Sequence, residues 1–158
     1  MASPLLVLVL TPRDPDFEQR VRASYARQAA MATLGARLAR VEPGHVVIEL
    51  PFRADLTQQH GFLHAGVVTS VMDSACGYAA LTLMERDAAV LSVEFKVNLL
   101  APARGELFRA SGRVVRAGRT LTVVAGELRA VEAAGEGALV AMMTGTMMAV
   151  RDRPDLVD

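Results

Sequence analysis

The sequence predicts an α+β domain in which an antiparallel sheet wraps one long apolar helix. Three observations carry that reading. Residues 66–84 are apolar nearly all round, which a helix tolerates only when it is buried. Strand-like segments flank this helix on both sides, and those that follow it are joined by short turns. No linker, internal repeat or low-complexity stretch divides the chain. At 158 residues it reads as one domain over 14–151, with an N-terminal extension over 1–13 and a tail over 152–158.

The first element is an additional N-terminal helix over 15–34. Asp14 is placed to cap it, Pro15 suits its first position, and Asp16 and Glu18 favour its positive start. Phe17, Val21 and Tyr25 recur every fourth residue, and Gly35 is placed to end the helix. A hairpin over 36–41 and 45–52 turns at Glu42-Pro43-Gly44, and 53–65 reads as a loop. After the helix over 66–84, the strand 91–98 alternates. Leu91, Val93, Phe95 and Val97 share one face, and Ser92, Glu94, Lys96 and Asn98 the other. Strands 106–116 and 120–131 pair across Ala117-Gly118-Arg119, and 138–150 returns after Ala134-Gly135-Glu136-Gly137. Such a succession predicts a meander-like sheet with the long helix against its concave face.

Composition narrows the function. Seventeen acidic residues balance 17 basic ones, aromatic content is 4% and there is no Trp, so neither the charge nor the stacking surface for nucleic acid is present. The single cysteine, Cys76, excludes an intrachain disulfide and a Cys-rich zinc site, and fits a reducing cytoplasm. The apolar residues 4–10 lack a basic leader and run into Thr11-Pro12-Arg13-Asp14, so they read as a terminal extension, packed or partly disordered, rather than a signal peptide. No apolar run is long enough to span a bilayer; the closest, 67–84, contains Asp73.

The chemistry sits on the long helix. Ser70, Asp73, Ser74 and Gly77 lie at i, i+3, i+4 and i+7, one polar stripe on an otherwise apolar cylinder. Burying a carboxylate without a partner is costly, and no Lys or Arg on this helix neutralises Asp73. Two readings follow: a carboxylate used as base or nucleophile, or one that faces a wet groove or pairs with a distant arginine. At the helix entry, His64-Ala65-Gly66 offers amides without intrahelical acceptors, suited to polarising a carbonyl and holding an oxyanion. Asp73 lies eight residues beyond Ala65, about 12 Å along the axis, too far to serve the same atom from one helix. A site that uses both needs a second subunit.

These residues carry a resemblance. The stretch Gln58-Gln59-His60-Gly61-Phe62-Leu63-His64-Ala65-Gly66, then Val67 through the helix to Asp73, resembles the phenylacetate-degradation (PaaI-type) hotdog thioesterases. Their usual pattern is His-Gly-Gly followed by an acidic residue seven positions after the second Gly; here Ala65 replaces the first Gly. The likeness continues through Leu91-Ser92-Val93-Glu94-Phe95-Lys96-Val97-Asn98 to Pro102 and the turn at Gly118, covering 36–150. The resemblance implies a hotdog fold and hydrolysis of an acyl-CoA thioester without a cofactor or metal. It implies Asp73 as general base or nucleophile and the Ala65 amide as the group polarising the carbonyl. His64 would position the loop or leaving group, Gln58 would orient water or substrate, and Gly66 and Ser92 would contact substrate. It also implies a homodimer or homotetramer with active sites at the subunit interface.

Other features read as background. His60 and His64 lack the third ligand of a metal site, and Ser70 and Ser74 lack a nucleophile elbow. Cys76 and the methionines Met142, Met143, Met147 and Met148 read as packing, while Arg113, Arg116 and Arg119 read as hairpin surface. The alternative function is a non-catalytic hotdog module that binds acyl-CoA as a sensor or carrier; a dehydratase ranks last. No motif encodes the acyl group.

Overall fold

A computed structural model describes residues 10–132, 135–156 and 158. The apolar start, apart from Leu10, and Ala134 of the expected last turn lie outside the described residues. The elements in order are α1 (Phe17–Arg27), α2 (Ala29–Leu34), β1 (Arg37–Glu42), β2 (His45–Pro51), a short 3-10 turn (Ala54–Leu56), α3 (Ala65–Leu81), β3 (Ala89–Leu99), β4 (Leu107–Ala117), β5 (Leu121–Glu132) and β6 (Gly135–Val150). The long helix lies on one antiparallel sheet, which is the hotdog arrangement.

The expected single helix over 15–34 is two helices. Gln28 interrupts it in an extended conformation (φ −78°, ψ 90°), and its N–H bonds to Tyr25 O at 3.0 Å. No helix breaker stands in the sequence there; tertiary packing decides the break. Nor does Asp14 cap α1. The helix starts at Phe17, and Asp14 Oδ1 accepts from the Asp16 N–H at 3.1 Å one turn earlier. The Asp14 carboxylate is buried and lies 3.5 Å from the Arg20 guanidinium and 3.0 Å from that of Arg86. Gly35 ends α2 in the left-handed conformation (φ 72°), as the sequence predicts.

The strand order is β1-β2-β4-β5-β6-β3, so the meander covers only β4, β5 and β6. The chain leaves β2, crosses the concave face as α3 and emerges at the opposite edge, where β3 pairs with β6. The place beside β2 is then filled by β4. Two glycines let the helix settle. A Cβ on Gly112 would lie 2.3 Å from the Ala75 carbonyl carbon, and one on Gly126 would lie 2.9 Å from Cys76 Sγ. Val68, Val71, Met72, Ala75 and Cys76 pack in this contact, each at most 1% exposed.

Both ends of α3 are anchored. At its C-terminal end the buried Arg20 guanidinium donates to Leu81 O at 2.9 Å, Met84 O at 3.1 Å and Glu85 O, satisfying carbonyls that the helix leaves open. The two sheet edges differ. β1 carries Arg37, Arg40 and Glu42, charges that discourage further pairing. β3, eleven residues long, has β6 on one side only and exposes Leu91, Val93, Phe95 and Leu99. Among the described residues, no helix is long and apolar enough to cross a membrane.

Candidate active site

Asp73 lies midway along α3 and is half-buried, not stranded in the interior as the apolar helix suggested. It lines a cavity of about 220 Å³ with Ser74, Gly77, Tyr78, Leu91 and Ser92. Its partner is a hydroxyl. Ser92 Oγ donates to Asp73 Oδ1 at 2.7 Å, and no ion pair reaches Asp73 among the described residues. Among the described residues Asp73 therefore faces a groove and does not pair with a distant arginine.

Ser92 reaches Asp73 because β3 carries a bulge. The register against β6 shifts between Ser92 and Glu94. Ser92, Phe95 and Val97 pair with Met147, Gly145 and Met143 on the concave side, while Glu94 and Lys96 pair with Thr146 and Thr144 on the other. The expected alternation, which set Ser92 on one face with Glu94, Lys96 and Asn98, is corrected: the extra residue, Val93, moves Ser92 to the face of the helix.

The second cluster forms at the start of α3. His64 caps it, with Nδ1 accepting from the Gly66 N–H at 2.9 Å. That bond requires an unprotonated Nδ1, so the neutral ring carries its hydrogen on Nε2. The Val67 and Val68 N–H groups bond to His64 O at 3.0 and 3.2 Å. The Ala65 N–H finds no acceptor among the described residues. One amide of the first turn, that of Ala65, thus stands open among the described residues. At Gly66 the amide is engaged by His64, and a Cβ there would approach His64 Nδ1 to 3.1 Å.

Gln58 shapes the loop before the helix. Its side-chain oxygen accepts from the His60 N–H, and its own N–H bonds Phe62 O at 2.8 Å, closing a turn through Gly61 (φ 79°). Gln58 and Ala65 line one cavity of about 390 Å³, together with Phe62, Leu63, Leu99 and Leu100. The Arg104 guanidinium lies over the Phe62 ring, 4.6 Å from its centroid. Within one chain, then, the predicted residues form two groups. Gln58, His64, Ala65 and Gly66 sit at one end of α3, and Asp73 and Ser92 face the other cavity.

Surrounding residues behave as packing. Burial pushes the Cys76 thiol up to about 12, and the Asp73 charge adds to the effect, so Cys76 is inert at neutral pH. Met143 and Met147 are core residues, whereas Met142 is exposed on the outer face. Arg113 pairs with Glu127 at 3.5 Å. Gln28 and Asp158 also line the Asp73 cavity. Neither carries a sequence signal, because Gln28 sits in an unmarked helix break and Asp158 in the tail.

Relatives share this fold. The family described as Thioesterase superfamily matches residues 60–135. A thioesterase family protein from Silicibacter pomeroyi is 56% identical, and its solved structure superposes with a TM-score of 0.82 over 85% of this chain and 98% of that one. The chain belongs to the thioesterase superfamily. This thioesterase-superfamily chain is also similar to a phenylacetic acid degradation-related protein from Ralstonia eutropha, at 25% identity and a TM-score of 0.72 over 84% of this chain and 98% of that one. That likeness agrees with the PaaI-type resemblance. Over 91 residues, 58% of this chain and 74% of the relative, it is 29% identical to 1,4-dihydroxy-2-naphthoyl-CoA hydrolase of Listeria monocytogenes. The curated relatives are matched over 61% to 76% of their own length.

Proposed function

We propose that the protein hydrolyses an acyl-CoA thioester to a carboxylate and a free thiol, at sites shared between two copies of the chain. The observation that carries this reading is the unpartnered Ala65 N–H at one cavity and the Ser92-held Asp73 at another. The thioester oxygen accepts from the Ala65 N–H, which stabilises the oxyanion as the carbonyl carbon becomes tetrahedral. Asp73 either takes a proton from the attacking water or attacks the carbonyl itself, forming an anhydride that water then opens. In both routes the C–S bond breaks, and the thiolate leaves and takes up a proton. The name of the Listeria relative, a CoA hydrolase, favours coenzyme A as the thiol.

The strand β3 supports a shared site. Its start contributes Leu91 and Ser92 to the Asp73 cavity, and its end contributes Leu99 to the Ala65 cavity. Ser92 and Leu99 are seven residues apart, about 23 Å along a strand. A second copy pairing antiparallel along this open edge sets the start of one β3 beside the end of the other, a two-fold, self-complementary interface. Asp73 of one copy then faces the partner's Ala65. Such pairing also covers the exposed Leu91, Val93, Phe95 and Leu99, which an open edge leaves prone to aggregation.

Thiol release from acyl-CoAs tests the reading with two variants. Asp73→Asn should reduce kcat by about 10²–10⁴-fold, as loss of a general base does. Ala65→Pro removes only the proposed oxyanion donor. Proline is well accepted at the first position of a helix, and the extended His64 backbone (φ −62°, ψ 139°) suits a residue before proline. Its expected loss is about 10²–10³-fold with the melting temperature preserved. Wild-type turnover in either folded variant, or saturable acyl-CoA binding without thiol release, would refute the mechanism.

A further inference from the structure

Asp158 reaches the Asp73 cavity from the tail, far from α3 and β3 in sequence. It is held at two points. Its Oδ1 accepts from Ser24 Oγ of α1 at 2.8 Å, and its Oδ2 accepts from the Val90 N–H at the start of β3 at 2.7 Å. The Ser24 hydroxyl lies in turn 3.3 Å from the Tyr78 hydroxyl, so the carboxylate is braced by α1, α3 and β3 together. Beyond it lies a second cavity of about 410 Å³, bordered by Arg86, Ala88, Asp152 and Pro154. Asp158 lines both cavities.

We infer that Asp158 sets the length of acyl group that the enzyme accepts, by closing the Asp73 cavity against the larger cavity behind it. The inference rests on the thioesterase reading and adds the substrate class that reading leaves open: compact acyl groups. Size assigns the Asp73 cavity to the acyl half of the substrate. At about 220 Å³ it lies below the roughly 300–1,000 Å³ of sites for drug-sized ligands, and it cannot take the nucleotide end of coenzyme A. The wall is also chemically firm. A carboxylate held by two hydrogen bonds does not yield to an alkyl chain, because displacing it would strip its donors and set a charge against hydrocarbon. An acyl chain longer than the cavity therefore meets a fixed polar end. Without the carboxylate, the same chain runs on into the second cavity.

The test is kcat/KM of the full-length protein for short, medium and long straight-chain acyl-CoAs, with melting temperatures as a folding control. Wild type should favour the short thioesters. Asp158→Ala should raise kcat/KM for the long relative to the short thioesters by about tenfold or more, the scale on which single methylenes are discriminated. Asp158→Asn should keep the wild-type profile, since the amide can still accept from Val90 and can donate to Ser24. An unchanged profile in Asp158→Ala overturns the inference. A uniform change across all chain lengths also overturns it, because that outcome puts the residue against the thiol half of the substrate or in the fold alone. Failure of wild type to release thiol from any acyl-CoA refutes the thioesterase reading itself and the inference with it.

Discussion

Among the described residues Asp73 leans on a hydroxyl, not on a cation, and that arrangement suits the catalytic role proposed for it. The Ser92 bond fixes one carboxylate oxygen, and among the described residues no arginine pairs with the charge. Ser92 is in this account a positioning residue. Hydrogen bonds to charged groups contribute about 1.5–3 kcal/mol, so Ser92→Ala should lower kcat by about 10–100-fold. KM should change little, because Ser92 acts through Asp73 on the reacting atoms. A change confined to KM, read from steady-state thiol release, would put Ser92 on the substrate instead. At this scale much was legible. Asp73, Ala65 and His64 stand out because a polar stripe and a helix entry are local patterns. Ser92 does not: strict alternation along its strand points it away from the helix, and only the resemblance singles it out. A bulge obeys the pairing of two strands, which no single segment encodes.

At the scale of elements, α3 carries Ala65 and Asp73, the residues proposed for the chemistry, and His64 caps its first turn. By taking the Gly66 N–H, His64 leaves the Ala65 N–H as the open amide. His64→Ala should destabilise the fold by about 1 kcal/mol, as loss of an N-cap does, whereas His64→Asn, a strong cap, should restore that stability. Thermal melting measures both. If activity returns along with stability in His64→Asn, the histidine works as a cap. If stability returns and activity does not, the ring itself acts on the substrate or leaving group. The identity of α3 and of β4, β5 and β6 was plain from periodicity and turns. The break at Gln28 and the placing of β3 at the far edge were not. Neither leaves a mark on neighbouring residues: β3 reaches the far edge because α3 crosses the sheet, and Gln28 turns extended with no helix breaker beside it.

For the molecule as a whole, burial sets a limit in alkali. It pushes the Cys76 thiol from an ordinary 9.0 to about 12 and the Tyr25 hydroxyl from 10.0 to about 12. Both are acids whose pKa is raised in the folded state. Their contribution is complete below the unfolded values and is lost as pH rises toward the folded ones. The melting temperature should therefore fall steadily between pH 9 and 12, and a flat profile across that window would show that these groups are hydrated. The open β3 edge has the larger consequence, because in the proposed dimer it divides the proposed catalytic groups between two copies of the chain. Subunit mixing reads this out directly. Asp73→Asn and Ala65→Pro, each inactive alone, should recover about one quarter of wild-type thiol release after exchange, since half of the dimers are then hybrid and each hybrid holds one intact site. No recovery, despite exchange shown by differently tagged subunits, would mean that each chain builds its site alone.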